Sequence, residues 1–168
     1  MNNILFIITG SIAASRCKEI ITLLSKKEVK ISCILTKEAK KYIKISDIKK
    51  LLKNRIFTDE DEKKNKMLHI NLSRDNDMIV VCPATANSIA KFANGYGDNL
   101  ASNTLLASNK KILFVPAMNS FMWHNKINQK NVRLLKDSGY EFIGPKVGKL
   151  KCGEFGLGRI DNSKNIVN

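Results

Sequence analysis

A chain of 168 residues, 43% hydrophobic and 26% charged, has the size and composition of one globular domain with a real core. Its 29 Lys and Arg against 15 Asp and Glu give a net charge of +14, but the lysines are scattered and no nucleic-acid motif accompanies them. Drift towards Lys, Asn and Ile explains that charge better than a nucleic-acid footprint does, and attraction of small anions is its other use. No apolar run approaches the ~18 residues of a membrane span, and Met1-Asn2-Asn3 before a short apolar run is no secretory signal, so a cytoplasmic protein is expected.

The first element is the apolar run at residues 4–8, expected as a strand. Residues 12–26 form a helical pattern that places Ile20, Leu23 and Leu24 together and closes on Lys26 and Lys27, cations suited to a helix C-terminus. Further strands are expected at 29–35, 78–82 and 112–115, with a weaker fragment at Ile56-Phe57. Helical patterns fall at 88–93, 100–107 and 128–138, the last stopped by Gly139. The four clear runs are continuously apolar rather than alternating, as strands covered on both faces are. Strands alternating with helices predict one α/β domain over residues 1–168. The expected form is a Rossmann-like (flavodoxin-like) open parallel sheet with helices on both faces, three layers α/β/α. The four cysteines form no CxxC pair, so neither a disulfide framework nor a metal site is expected. Cys17, Cys33 and Cys82 sit in apolar segments, as buried thiols do, whereas Cys152 sits in a glycine-rich, basic segment.

Ligands of open parallel sheets bind beyond the carboxyl ends of the strands. Four such ends carry small or polar residues: Thr9-Gly10-Ser11, Thr36-Lys37, Pro83-Ala84-Thr85-Ala86-Asn87 and Pro116-Ala117-Met118-Asn119. Gly10-Ser11-Ile12 opens the first helical pattern, where a glycine permits close approach and free N–H groups suit a phosphate. The dinucleotide fingerprint G-x-G-x-x-G is absent, so a mononucleotide fits better. Thr36 suits the same phosphate or a helix cap equally, and Asn87 suits a ring edge or an ordinary turn.

Three segments are more specific: Pro83 to Ser88, Pro116-Ala117-Met118-Asn119-Ser120-Phe121-Met122-Trp123, and Lys151-Cys152-Gly153-Glu154-Phe155-Gly156-Leu157-Gly158-Arg159. With these the chain resembles the homo-oligomeric flavin-containing cysteine decarboxylases from Gly10 to about Arg159. The resemblance implies FMN bound near Gly10, Ser11, Ile12, Thr36, Asn87 and Ser88, with Tyr42 flanking it. It further implies His69 as the active-site histidine, Asn119 as the holder of the substrate carboxylate, and Cys152 as the proton donor on a flap at about residues 146–160. Met122, Lys151 and Arg159 would face the substrate. An isolated histidine or cysteine is more often structural; three such residues at family spacing favour the functional role. The implied reaction is decarboxylation of the phosphorylated small molecule phosphopantothenoylcysteine in coenzyme A synthesis, through transient oxidation to a thioaldehyde whose C=S group accepts the electrons left by CO2. Trimers or dodecamers are implied, with neither nucleic acid nor membrane as partner. A peptidyl-cysteine decarboxylase, a flavin prenyltransferase and a non-catalytic regulatory flavoprotein of the same fold are the alternatives. Asn119 to Trp123 argues against the prenyltransferases, and retention of His69, Asn119 and Cys152 against the regulatory protein. Whether a synthetase domain follows residue 168 stays open.

Overall fold

The computed structural model describes residues 3–53 and 55–168; Met1 and Asn2, part of the N-terminal expectation above, lie outside them. In chain order, β1 (Asn3–Ile8) leads through a 3-10 turn (Ile12–Arg16) into α1 (Cys17–Ser25) and β2 (Lys30–Leu35). A second 3-10 turn (Glu38–Lys41) precedes α2 (Ile45–Leu52), β3 (Ile56–Phe57), α3 (Asp59–Lys64) and α4 (Leu68–Arg74). There follow β4 (Met78–Ala84), α5 (Ala86–Ala93), α6 (Leu100–Leu106), β5 (Lys111–Pro116), α7 (Ser120–His124), α8 (Lys126–Asp137) and β6 (Glu141–Phe142). A hairpin of β7 (Lys146–Lys149) and β8 (Phe155–Arg159), then α9 (Ser163–Val167), completes the described chain. None of its helices is long and apolar enough to cross a membrane.

The first six strands form one parallel sheet in the order β3-β2-β1-β4-β5-β6. The expected Rossmann-like sheet is therefore present, in the doubly wound order whose topological switch falls between β1 and β4. Its faces explain the unbroken apolar runs. Ile4, Phe6 and Ile8 of β1 pack with Cys33, Leu35, Val80 and Cys82 under α1, α2 and α9. Leu5 and Ile7 point the other way, with Ile79, Val81, Ile112 and Phe114, under α4, α5, α6 and α8. The buried side chains on both faces of these central strands thus meet a helical layer, and alternation would have left polar groups buried.

The helical pattern expected at 12–26 divides: a 3-10 turn capped by Ser11 occupies its start, and the α-helix proper begins at Cys17. The buried stripe of α1 is Cys17, Ile20, Ile21 and Leu24, spaced i, i+3, i+4, i+7, with Leu23 only half-buried. Gly139, at φ 88°, ends α8 by turning its N–H back to the Lys136 carbonyl (2.9 Å).

Candidate functional site

The carboxyl ends of β1, β2, β4 and β5 open into one cavity of about 1250 Å³, roofed in part by the β7–β8 hairpin. A pocket for one ligand commonly occupies ~300–1,000 Å³, so this cavity has room for two molecules side by side. Gly10, Ser11, Ile12, Thr36, Tyr42, Asn87, Ser88, Asn119, Met122, Lys151, Cys152 and Arg159 all line it. His69 does not. It lies on α4, which packs against α6, and its Nδ1 sits 2.7 Å from Oε1 of the half-buried Glu62.

Local geometry sets what each residue can offer. Ser11 Oγ accepts from the Ala13 N–H (3.2 Å), which leaves its hydroxyl hydrogen for an acceptor in the cavity. Glycine at position 10 is also required by its neighbours: an added Cβ would collide with the Glu38 side chain. Thr36 Oγ1 donates to the Ile8 carbonyl (3.2 Å) and accepts from the Ala39 N–H (3.4 Å), so its hydroxyl joins β1 to the turn that follows β2. Thr85 caps α5 by accepting from the Ser88 N–H (3.1 Å), which presents Asn87 and Ser88 on the first turn facing the cavity. Tyr42 and Ile12 are exposed apolar surfaces beside these polar groups.

The second half of the cavity is built on α7. Asn119 Oδ1 accepts from the N–H groups of Phe121 (2.8 Å) and Met122 (3.3 Å), capping the helix. Those two bonds fix the orientation of the amide: the oxygen faces the helix, and the Nδ2 donors face outward. Nδ2 donates to Oε2 of Glu154 and approaches Sγ of Cys152 at 3.8 Å. Cys152 Sγ lies 3.6 Å from that same Glu154 oxygen. A neutral donor, a thiol and a carboxylate thus meet at the flap tip. Sequence reasoning does not single out Glu154, because an acid two residues after a cysteine gives no sign of a bond to residue 119.

The flap docks through glycines. A Cβ at Gly156 would stand 2.7 Å from Ser120 Oγ, and one at Gly158 would overlap the Met118 carbonyl. Glycine lets β8 lie directly on the Met118–Ser120 segment, where Met118 N–H donates to the Gly158 carbonyl at 3.0 Å. Cys152 is exposed, whereas Cys17, Cys33 and Cys82 are fully buried. Burial pushes the thiols of Cys17 and Cys33 well above their ordinary range, which makes them poor nucleophiles and acids. At the cavity lining the Lys91 ammonium, hydrogen-bonded to Asp98, holds that carboxyl below its usual range.

The Flavoprotein family model matches residues 1–168. A probable phosphopantothenoylcysteine decarboxylase of Streptococcus mutans is 33% identical over 168 residues, covering 98% of this chain and 94% of that protein. The coenzyme A biosynthesis bifunctional protein CoaBC of Bacillus subtilis is 33% identical over 98% of this chain, which spans only 41% of that protein's length. Among solved structures, a cysteine-to-serine mutant of PPC decarboxylase complexed with pantothenoylaminoethenethiol superposes with a TM-score of 0.90 at 28% identity, covering 99% of this chain and 94% of that one. The peptidyl-cysteine decarboxylase EpiD gives 0.82 at 31% identity, with 100% and 98% covered.

Proposed function

The chain belongs to the Flavoprotein family, and from that premise we propose that it is an FMN-dependent decarboxylase of 4'-phosphopantothenoylcysteine, yielding 4'-phosphopantetheine for coenzyme A biosynthesis. The observation that carries the proposal is Asn119, whose helix-capping bonds turn a neutral double donor towards a thiol inside a cavity large enough for two ligands. A carboxylate is the complement of that donor. A neutral amide also grips it without a fixed positive charge, which would stabilise the carboxylate against loss of CO2.

The donor set suits a flavin mononucleotide. Ser11, the N–H groups behind it and Ser88 could hold one phosphate and its ribityl chain, Asn87 could meet the polar ring edge, and Ile12 and Tyr42 offer apolar surface. A flavin bound there supplies the two-electron oxidation of the cysteine side chain and its later reversal. The chain's own residues do the rest. Asn119 fixes the departing carboxylate, Met122 and Lys151 border the substrate, and Cys152 Sγ delivers the proton that completes the saturated product. Flavin released from the protein by heat is expected to co-chromatograph with FMN; FAD, or no flavin after incubation with FMN, would count against this assignment.

His69 has a chemical role that its own chain's cavity does not accommodate: an imidazole exchanges protons near neutrality. We assign it to the cavity of a neighbouring copy in a homo-oligomer. Its side chain is 25% exposed, and the adjacent Met67 is an exposed apolar residue at 53%. Co-refolded His69→Asn and Cys152→Ser variants are then expected to recover formation of the saturated product, which neither gives alone, because mixed assemblies hold some cavities with both groups intact. No recovery in mixed assemblies would return His69 to a structural role.

The similarity to EpiD supports a second substrate, a peptide ending in cysteine, whose terminal carboxylate Asn119 would receive equally well. FMN-loaded protein given both substrates is expected to consume phosphopantothenoylcysteine with the higher kcat/KM. Preference for the peptide would replace the substrate while keeping the chemistry.

A further inference from the structure

We propose that Glu154 is a positioning residue whose carboxylate occupies, in the substrate-free protein, the place on Asn119 that the substrate carboxylate takes, and that substrate binding displaces it. The inference rests on the decarboxylase proposal and concerns how that same site is gated. Asn119 presents a donor whose orientation is fixed by its bonds to Phe121 and Met122, so whatever sits on Nδ2 must be an acceptor. In this structure the acceptor is an internal carboxylate, the group that the substrate itself would bring. Two carboxylates cannot share one amide without like-charge repulsion, so one must leave.

Displacement does more than vacate the amide. The same oxygen, Glu154 Oε2, is the acceptor for both Asn119 Nδ2 and the Cys152 thiol. When the substrate carboxylate takes Asn119, Glu154 withdraws and the thiol hydrogen is released from it. Recognition of a carboxylate is thereby coupled to freeing the proton that the last step consumes. The arrangement is local to the flap tip. The tip turn is closed by backbone bonds from Leu150 N–H to the Glu154 carbonyl (2.7 Å) and from Gly153 N–H to the Leu150 carbonyl (3.0 Å). The flap base is held separately, by Gly156 and Gly158 against Met118 and Ser120. Removing the Glu154 side chain therefore frees Asn119 and the thiol while the backbone-closed tip turn and the docked hairpin stay in place.

Glu154→Ala removes the internal competitor, and Glu154→Gln keeps the side-chain shape while removing the charge. With FMN-loaded protein and phosphopantothenoylcysteine, KM is expected to fall about fivefold in Glu154→Ala, the factor an exposed ionic hydrogen bond is worth, with any loss confined to kcat. Glu154→Gln should fall between Glu154→Ala and the parent. A structural role predicts the opposite, a KM that rises as the tip loosens. A second readout needs no turnover: with Cys17, Cys33 and Cys82 fully buried, iodoacetamide reports on Cys152 in the native protein. Alkylation should quicken in both variants as the thiol loses its carboxylate partner, more in Glu154→Ala than in Glu154→Gln, whose amide oxygen still accepts. A KM equal to or above the parent's, or an unchanged alkylation rate, overturns the proposal. Parent protein inactive on phosphopantothenoylcysteine would sink the substrate proposal instead, and the alkylation rates would still decide the role of Glu154.

Discussion

Asn119→Asp is expected to lose roughly 10²- to 10³-fold in kcat/KM while the protein folds normally and retains flavin. An aspartate still caps α7, since its carboxylate accepts from Phe121 and Met122 as the amide oxygen does, and a negative charge is favourable at a helix N-terminus. What changes is the outward face. The proposed donor to the substrate carboxylate becomes a second carboxylate, so on this account an attraction is replaced by repulsion at the point where CO2 must leave. CO2 release, flavin absorbance and the thermal midpoint, measured together, separate these effects. Near-parental activity would remove Asn119 from substrate binding, and a large drop in the midpoint would show that the cap, rather than the donor, had been damaged.

Cys152→Ser is expected to divide the reaction into its halves. In the proposed reaction, oxidation and decarboxylation depend on the flavin and on Asn119, whose bonds to α7 this change leaves alone. The final step depends on an acid beside the reacting carbon, and a serine hydroxyl is a far weaker acid than a thiol. CO2 should still be released, and mass spectrometry should find a product two hydrogens lighter than phosphopantetheine. The similar PPC decarboxylase carrying a cysteine-to-serine change is complexed with pantothenoylaminoethenethiol, an unsaturated thiol of this kind. Fully reduced product at the parental rate would show that Cys152 is not the donor.

The central strands β1, β2, β4 and β5 and most of the cavity were legible because their signals are local. Residues 4–8 and 78–82 read as strands because both faces of the sheet are covered, which makes every side chain apolar. The strand ends read as ligand sites because Gly10, Thr36 and Asn87 interrupt that apolar pattern where β1, β2 and β4 stop. Other elements send no such signal. α3, Asp-Glu-Asp-Glu-Lys-Lys, buries nothing and owes its start to a capping box between Thr58 and Asp61, so no periodicity marks it. β7 and β8 are short, exposed and glycine-rich, and are held by backbone pairing and by contact with Met118 and Ser120, distant in sequence. Glu154 was illegible for the same reason: its meaning lies in a bond across 35 residues. His69 is the converse case, a residue marked by family spacing that the fold of a single chain holds outside the cavity.

The most direct test of the account is the mass of the product formed when FMN-loaded protein is incubated with phosphopantothenoylcysteine under anaerobic conditions. The expected product is lighter by one CO2 and otherwise carries the same hydrogens as the substrate, because oxidation and re-reduction cancel. Substrate recovered unchanged, from protein shown to hold FMN, would contradict the proposed function.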